Sequence, residues 1–155
     1  MTRDHGPGAT ADPFARLMHT HRRIEERLDD LLDATTKLEA QPTNLDAFEA
    51  IERVLGFFDR AGRRHHDDEE RSLFPRLPKS EPFASIVVAL EAEHRAHTEA
   101  TNRLEGLVQS VGNGTPTPDH VMALRQAALS LRTLYLAHID REERELFPLC
   151  RDALD

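Results

Sequence analysis

Hydrophobic residues recur along this chain in alternating steps of three and four, with polar and charged residues between them. In the first such stretch, five apolar residues fall on one helical face: Phe14, Leu17, Ile24, Leu28 and Leu31. This spacing is typical of an amphipathic helix whose apolar stripe faces a core. The same rhythm runs through residues 48–72, 83–111 and 121–145, so the pattern predicts four long helices.

Capping and turn residues set the predicted ends of these helices. Thr43, followed three residues later by Asp46, resembles a capping box for the second helix, which is predicted to end before Pro75 because proline disrupts a helix interior. The fourth helix is predicted to open at Thr117 and to end at Pro148. Four long helices with short connections predict an all-α, up-down-up-down four-helix bundle.

The two hairpins of this bundle are predicted to be copies of one another. Residues 65–75 recur as residues 138–148, at an offset of 73 residues, and the same offset relates His21 to His94. Each half therefore supplies one lone histidine and one His-x-x-x-Glu pair. An offset without gaps predicts an internal two-hairpin repeat.

Six residues on the inward stripes are histidines or glutamates, and a buried carboxylate or imidazole is costly unless it is paired or bound to metal. One stripe histidine alone would more often be a hydrogen-bonded core residue, but six such side chains at matching heights are hard to satisfy in that way. Two carboxylates could bridge two ions while two imidazoles bind each, and these donors suit iron, manganese or zinc. The predicted metal ligands are His21, His65, Glu69, His94, His138 and Glu142.

The pattern leaves two roles open for His97 and for Gly62, and it places four further histidines off the stripes. His97 also lies on a stripe, where it would either bind a metal or hold a ligand or water, and we favour the second role. Gly62 and Tyr135 are repeat mates, so Gly62 would either make room for a bulky neighbour or leave an entrance to the metals. Four histidines off the stripes are predicted to be surface residues: His5, His19, His66 and His120.

Length and composition indicate a single domain. The 155 residues are 39% hydrophobic, enough for one core and too few for two ordinary domains. We assign residues 1–11 to a flexible leader, residues 12–150 to the bundle and residues 151–155 to a C-terminal tail. The single cysteine, Cys150, is predicted to lie beyond the fourth helix; it excludes an intramolecular disulfide and fits a cytoplasmic location.

Charge and hydropathy bear on the partners. The net charge is −8, with acidic and basic residues mixed along the chain, so we expect no nucleic-acid partner. No stretch reaches the ~20 apolar residues that cross a bilayer, so we expect no membrane partner. The partner that we expect is a small diatomic ligand or peroxide, and the sequence does not identify a redox partner.

The chain resembles the hemerythrin-like (HHE cation-binding) family of di-iron four-helix bundles over about residues 12–150. The motifs that carry the resemblance are His21-Arg22-Arg23-Ile24, His65-x-x-x-Glu69 with Leu73-Phe74-Pro75, Glu93-His94, and His138-x-x-x-Glu142 with Leu146-Phe147-Pro148. The resemblance implies two iron ions in an oxo- or hydroxo-bridged centre, with the six residues named above as ligands. The four-His, two-Glu set differs from that of the oxygen carriers and is closer to the branch with iron-centre repair and iron-sensing proteins.

Several functions are compatible with such a centre. The first is a non-haem di-iron protein that binds or senses oxygen, nitric oxide, peroxide or iron itself. The second is a redox enzyme that acts on peroxide or oxygen, or an iron-centre repair protein of nitrosative stress, since open positions on a redox metal permit both binding and turnover. The third is a bundle in which the metal is only structural.

Overall fold

The structure, a computed structural model, describes residues 13–154; the predicted leader, residues 1–11, lies outside them. All regular structure in this range is helical. Helix α1 is Pro13–Ala40, and α3 is Phe83–Val111. Helix α2 begins as Leu45–Phe57 and continues through a π turn, an α-helical turn, a second π turn and a 3₁₀ turn: Phe58–Gly62, Arg63–Asp67, Asp68–Leu73 and Phe74–Arg76.

Helix α4 begins as Pro118–Arg141, passes through the π turn Glu142–Leu146 and ends with the α-helical segment Phe147–Leu154. The helix therefore runs past Pro148, its predicted end, and includes the residues 151–154 that were assigned to a tail. The Phe147 N–H bonds to the carbonyl of Glu142, five residues back. This wider turn lets a proline follow without the clash that it causes in a regular α-helix.

The helix starts follow capping rules, with one difference from the prediction. Helix α2 is capped by Asn44, whose side chain accepts a hydrogen bond from the Ala47 N–H at 3.0 Å, and not by the predicted Thr43. Helix α4 opens at Thr117, as predicted, and the His120 side chain completes this capping box with a 3.1 Å hydrogen bond from the Thr117 N–H. Helix α3 ends at Gly112, whose φ of 65° suits glycine.

The core consists of two apolar clusters separated by a polar layer. The larger cluster, here called the main core, includes Ile24, Leu28, Leu31, Ile51, Leu104 and Leu131. The smaller one, here called the end core, contains Phe14, Phe74, Leu77, Phe83, Leu90, Leu146, Phe147 and Cys150. On each helix, buried histidines or glutamates lie between the residues of the two clusters. Among the described residues, no helix is long and apolar enough to cross a membrane.

Candidate metal centre

The six predicted ligands meet in the polar layer between the two apolar clusters, and each is at most 3% exposed. They form two groups, in each of which the ligand atoms all lie within 4.8 Å of one another. Both groups contain Glu69 and Glu142. His21 and His65 complete the first group, and His94 and His138 complete the second. We call these the His21 group and the His94 group.

The imidazole Nε2 atoms point into each group, towards the shared carboxylates. In the His21 group, Nε2 of His21 lies 3.2 Å from Nε2 of His65 and 3.3 Å from Glu142 Oε2. In the His94 group, Nε2 of His94 lies 3.0 Å from Glu69 Oε1, and Nε2 of His138 lies 3.9 Å from the same oxygen. These separations are short enough for one ion to contact all four side chains of a group.

Three further carboxylates contact the outer nitrogens of the histidines. Glu143 lies 2.7 Å from Nδ1 of His21, and Glu93 lies 2.8 Å from Nδ1 of His138. A carboxylate accepts a hydrogen bond, so these Nδ1 atoms carry a proton, and Nε2 is the nitrogen of each ring that faces the shared carboxylates and could bind a metal. Glu70 lies 3.3 Å from Nδ1 of His94, without the alignment of a hydrogen bond.

Sequence reasoning did not predict these outer contacts, although the sequence carries a signal for two of them. Glu70 and Glu143 each directly follow a predicted ligand, so the Glu-Glu dipeptide occurs once in each copy of the repeat. Each contacts the lone histidine of the opposite half. The phenylalanines of the repeated Leu-Phe-Pro motif do the same: the ring of Phe147 stacks on His21 at 5.9 Å, and that of Phe74 stacks on His94 at 6.1 Å.

Local backbone geometry brings both shared carboxylates inward. Glu69 lies in the π turn Asp68–Leu73 and Glu142 in the π turn Glu142–Leu146. Such turns hold an extra residue and are found often at functional sites. The histidine and the glutamate of each His-x-x-x-Glu pair are therefore both buried, although the glutamate lies in a π turn and not in a regular α-helix.

Burial keeps three of the imidazoles uncharged. It lowers the pKa of His65 and that of His97 to about 3. Burial and the neighbouring His94 lower the pKa of His66 to about 2. These rings are therefore neutral at pH 7, which is the form of imidazole that binds metals.

The two shared carboxyl groups are shifted in opposite directions. Burial, and then the charge of Glu142, raise the pKa of Glu69 well above its ordinary value. For Glu142, burial is outweighed by contacts with Glu69, His138 and His21, which hold the pKa well below that value. The pKa of His138 rises to about 11, because its contacts with Glu142, Glu69 and Glu93 outweigh burial. Without a metal, protons on Glu69 and His138 balance the buried negative charge. A bound cation could balance the same charge in their place.

The buried polar atoms fit a cation. Both oxygens of Glu142, Oε2 of Glu69 and Nε2 of His138 are buried without a hydrogen-bond partner among the described residues. Nε2 of His138 also lies against Oε1 of Glu142. Buried polar atoms are nearly always hydrogen-bonded, whereas Oε2 of Glu69 has no such bond and the other three atoms have only ion-pair contacts within this layer. A cation between them would satisfy all four, and nitrogen and carboxylate donors without thiolate suit iron, manganese or zinc.

His66 is buried, and its predicted place on the surface is wrong. It is only 9% exposed, and its Nε2 lies 3.3 Å from Nδ1 of His97. The π turn Phe58–Gly62 explains the error, because its extra residue rotates those that follow relative to a regular helix. His19 is exposed, as predicted, and His120 is partly buried at its cap; His5 lies outside the described residues.

His97 contributes no atom to either group of candidate ligands. Its ring stacks on Tyr135 at 3.8 Å and meets His138 edge to face at 4.8 Å. A Cβ built on Gly62 would lie 3.6 Å from the Tyr135 hydroxyl and 3.5 Å from Phe58. Gly62 is therefore closely packed against Tyr135, which agrees with the packing alternative for this glycine.

The fold and the site together define a class: an all-helical protein with a buried histidine and glutamate cluster that could hold metal. The family model of the hemerythrin HHE cation binding domain matches residues 12–150. The chain belongs to this family.

Two curated relatives give the range of similarity. An uncharacterized protein of Haemophilus influenzae is 30% identical over 94 residues, which are 60% of this chain and 55% of that protein. A zinc finger protein BRUTUS-like of Arabidopsis thaliana is 24% identical over 149 residues, which are 90% of this chain and 12% of that protein. The chain thus spans about half the length of the first relative and about an eighth of the second.

Proposed function

We propose that this chain is a non-haem di-iron protein that binds or senses a small ligand, of the class of oxygen, nitric oxide or peroxide, or iron itself. The observation that carries the proposal is that two four-residue groups share both of their carboxylates. Shared carboxylates favour a pair of ions over two separate ones, because each can bridge. Membership in a cation-binding family supports the same reading.

In this proposal His21 and His65 would hold one iron and His94 and His138 the other, and both groups would share Glu69 and Glu142. Manganese or zinc could occupy the same donors. A bound iron pair would supply redox chemistry and open positions for a small ligand. The cytoplasmic location remains a prediction.

The protein's own contribution is to orient the donors and exclude water. Glu143 and Glu93 fix the orientation of His21 and His138 through their Nδ1 atoms. Burial keeps the pKa of the Tyr135 hydroxyl above its ordinary value, and the Glu69 charge raises it further. The phenol thus stays protonated at neutral pH and can donate a hydrogen bond to a ligand nearby.

We also propose that the helices alternate in direction and that the two hairpins are related by an internal pseudo-twofold. The reciprocal contacts support this arrangement: His21 with Glu143 and Phe147, and their repeat mates His94 with Glu70 and Phe74. A twofold relation produces such pairs, because each half then presents the same groups to the other.

The alternative is an enzyme that consumes peroxide or oxygen at the same centre. The specific observation in its favour is that Tyr135 and His97, two groups able to donate hydrogen bonds, stack beside His138. Steady-state peroxide consumption by the iron-loaded protein separates this alternative from a binding or sensing role.

The deciding experiment is metal analysis after anaerobic purification, followed by absorption spectra with oxygen, azide and nitric oxide. We expect about two irons per chain and a spectrum that changes with at least one of these ligands. A protein that retains no iron, or whose iron spectrum responds to none of them, would contradict the proposal. The second result would leave only a structural role for the metal.

A further inference from the structure

One side of the metal centre borders on a surface cleft. The cleft lies between α2 and α3 and has a volume of about 440 Å³. Charged residues of both helices, among them Arg63, Glu70 and Arg95, form its rim. Its lining also includes His66 and His94, of which His94 is a candidate ligand. The cleft therefore approaches the His94 group from outside.

A second, much smaller cavity lies nearby. It has a volume of about 20 Å³ and is lined in part by His66, His97, Thr101 and Tyr135. This is close to the minimum of ~10–15 Å³ that holds one water molecule. The buried side of this space is formed by those four residues and the Phe58 ring, and its outer side by four exposed residues: Asp59, Arg63, Thr98 and Asn102. The imidazole, phenol and hydroxyl groups of the buried side suit a molecule of two or three atoms that can accept a hydrogen bond.

His66 is the buried residue that lines both spaces. Arg63 and Thr98 also line both, but they are exposed. The His66 ring stacks on His94 at 4.1 Å, and its Nε2 meets Nδ1 of His97 at 3.3 Å. One side chain thus touches a candidate ligand, the small cavity and the outer cleft.

The opposite side of the centre is closed by packing. The ring of Phe147 covers His21 and contacts Phe14 in turn at 5.1 Å. All three side chains are at most 3% exposed. Outside them, Arg151 lies over the Phe14 ring at 5.6 Å. A small molecule would have to displace this stack to reach the His21 group.

We propose that His66 is the gate through which molecules of two or three atoms pass from the α2–α3 cleft to the cavity beside His97 and Tyr135, and so to the His94 side of the centre. The inference rests on the proposed function only in naming the iron centre as the place to which the passage leads. The passage itself is a property of the protein and can be measured without iron.

Tyr135 is a built-in probe of the small cavity. It is the only tyrosine, the chain has no tryptophan, and its side chain lines this cavity. Its fluorescence in metal-free and zinc-loaded protein can be quenched by oxygen, which has two atoms, and by acrylamide, which is larger. We expect oxygen to quench the wild-type protein and acrylamide to have little effect.

Two substitutions should move this quenching in opposite directions. His66→Ala removes the gate, so it should raise the oxygen quenching constant several-fold and let acrylamide quench as well. Thr98→Phe places a bulky ring at the mouth of the cleft, so it should lower oxygen quenching several-fold. Thr98 is exposed, and its Oγ1 bonds only to the His94 carbonyl of its own helix, so the variant should fold.

Each variant has a matched control. His19→Ala removes an exposed histidine of α1 that lines neither space. Thr133→Phe changes an exposed threonine of α4 whose Oγ1 makes the same kind of bond, to the Leu129 carbonyl. Quenching in a folded His66→Ala variant equal to that in His19→Ala would overturn the gate. If His66→Ala does not fold, equal quenching in Thr98→Phe and Thr133→Phe would do so.

Association of azide with the iron-loaded protein gives a second readout. We expect it to be faster in His66→Ala and slower in Thr98→Phe than in the two controls. Failure of iron loading with the expected quenching changes would contradict the proposed function and leave the gate supported. Normal iron loading and ligand spectra with unchanged quenching and unchanged azide rates would contradict the gate alone.

Discussion

The two halves of the site carry the same donors but differ in what surrounds them. The outer carboxylate of the His21 group is Glu143, which is 15% exposed and also contacts Arg22. The corresponding carboxylate of the His94 group is Glu70, which is 37% exposed and lies at the cleft. The sequence repeat therefore places the same residue types in both halves, while the exposure of these two carboxylates differs. In the proposed gate, the His94 half is the open half and the His21 half is the closed one.

At two pairs of corresponding positions the two halves carry different residues, and these residues lie near the centre. Ile24, a residue of the main core, corresponds to His97, and Gly62 corresponds to Tyr135. His97 and Tyr135 stack on one another near His66 and form the polar lining of the small cavity. Under the proposed function, the duplicated donor set would bind a metal pair, and these few unmatched residues would direct a ligand to one side.

The largest expected effect is that of Glu69→Ala or Glu142→Ala, because both halves share these residues. Each variant should lose most of its metal, measured as metal per chain, and most of the stabilisation that metal gives. In metal-free protein, Glu142→Ala should also lower the melting temperature, because it removes one partner of a buried ion pair with His138. For a domain of this size, each kcal/mol corresponds to roughly 2–4 °C. A variant that keeps two irons and an unchanged spectrum would show that the shared-carboxylate assignment is wrong.

The next largest effect is expected from substitutions that change only one of the two groups. His21→Ala and His94→Ala each remove one nitrogen from a single group, so each should leave about one tightly bound ion per chain. Ligand binding should suffer more in His94→Ala, because the cleft leads to that half. Metal analysis and azide titration of the pair would measure both quantities. Equal loss of azide affinity in the two variants would contradict the difference between an open and a closed half.

A smaller effect is expected from the outer carboxylates. Glu143→Gln should weaken metal binding by about 10–100-fold, the usual range when a residue that holds a ligand is lost. Glu70→Gln should weaken it less, because Glu70 is more exposed and lies farther from its histidine. Competition with a chelator measures both affinities. A larger loss in Glu70→Gln would reverse the proposed order.

The smallest effect concerns Cys150, in the end core beside Phe147. Burial raises the pKa of the Cys150 thiol to about 11, so the reactive thiolate is scarce up to about that pH. Native protein should react with iodoacetamide at pH 8 far more slowly than unfolded protein, as measured by mass spectrometry. Rapid labelling of native protein would show that this closed side opens in solution.

Local patterns determined much of this structure in advance. The steps of three and four placed the helices, and the fixed offset between the copies identified the six side chains that meet in the two groups. Such features can be predicted because amphipathic periodicity, capping residues and prolines act over a few residues. The same information predicted the family, which the matched family model confirms.

What only the tertiary structure decided depends on residues far apart in the chain. His21 and Glu143 are separated by 122 positions, so no local pattern pairs them. The three π turns were invisible to a regular helical period, and one of them turned His66 inward while another carried α4 past Pro148. Because α4 continues past Pro148, Cys150 lies within this helix and is buried in the end core. The sequence determined which donors face inward, and the packing of the helices decided which side of the centre is covered, because coverage depends on which helices meet there.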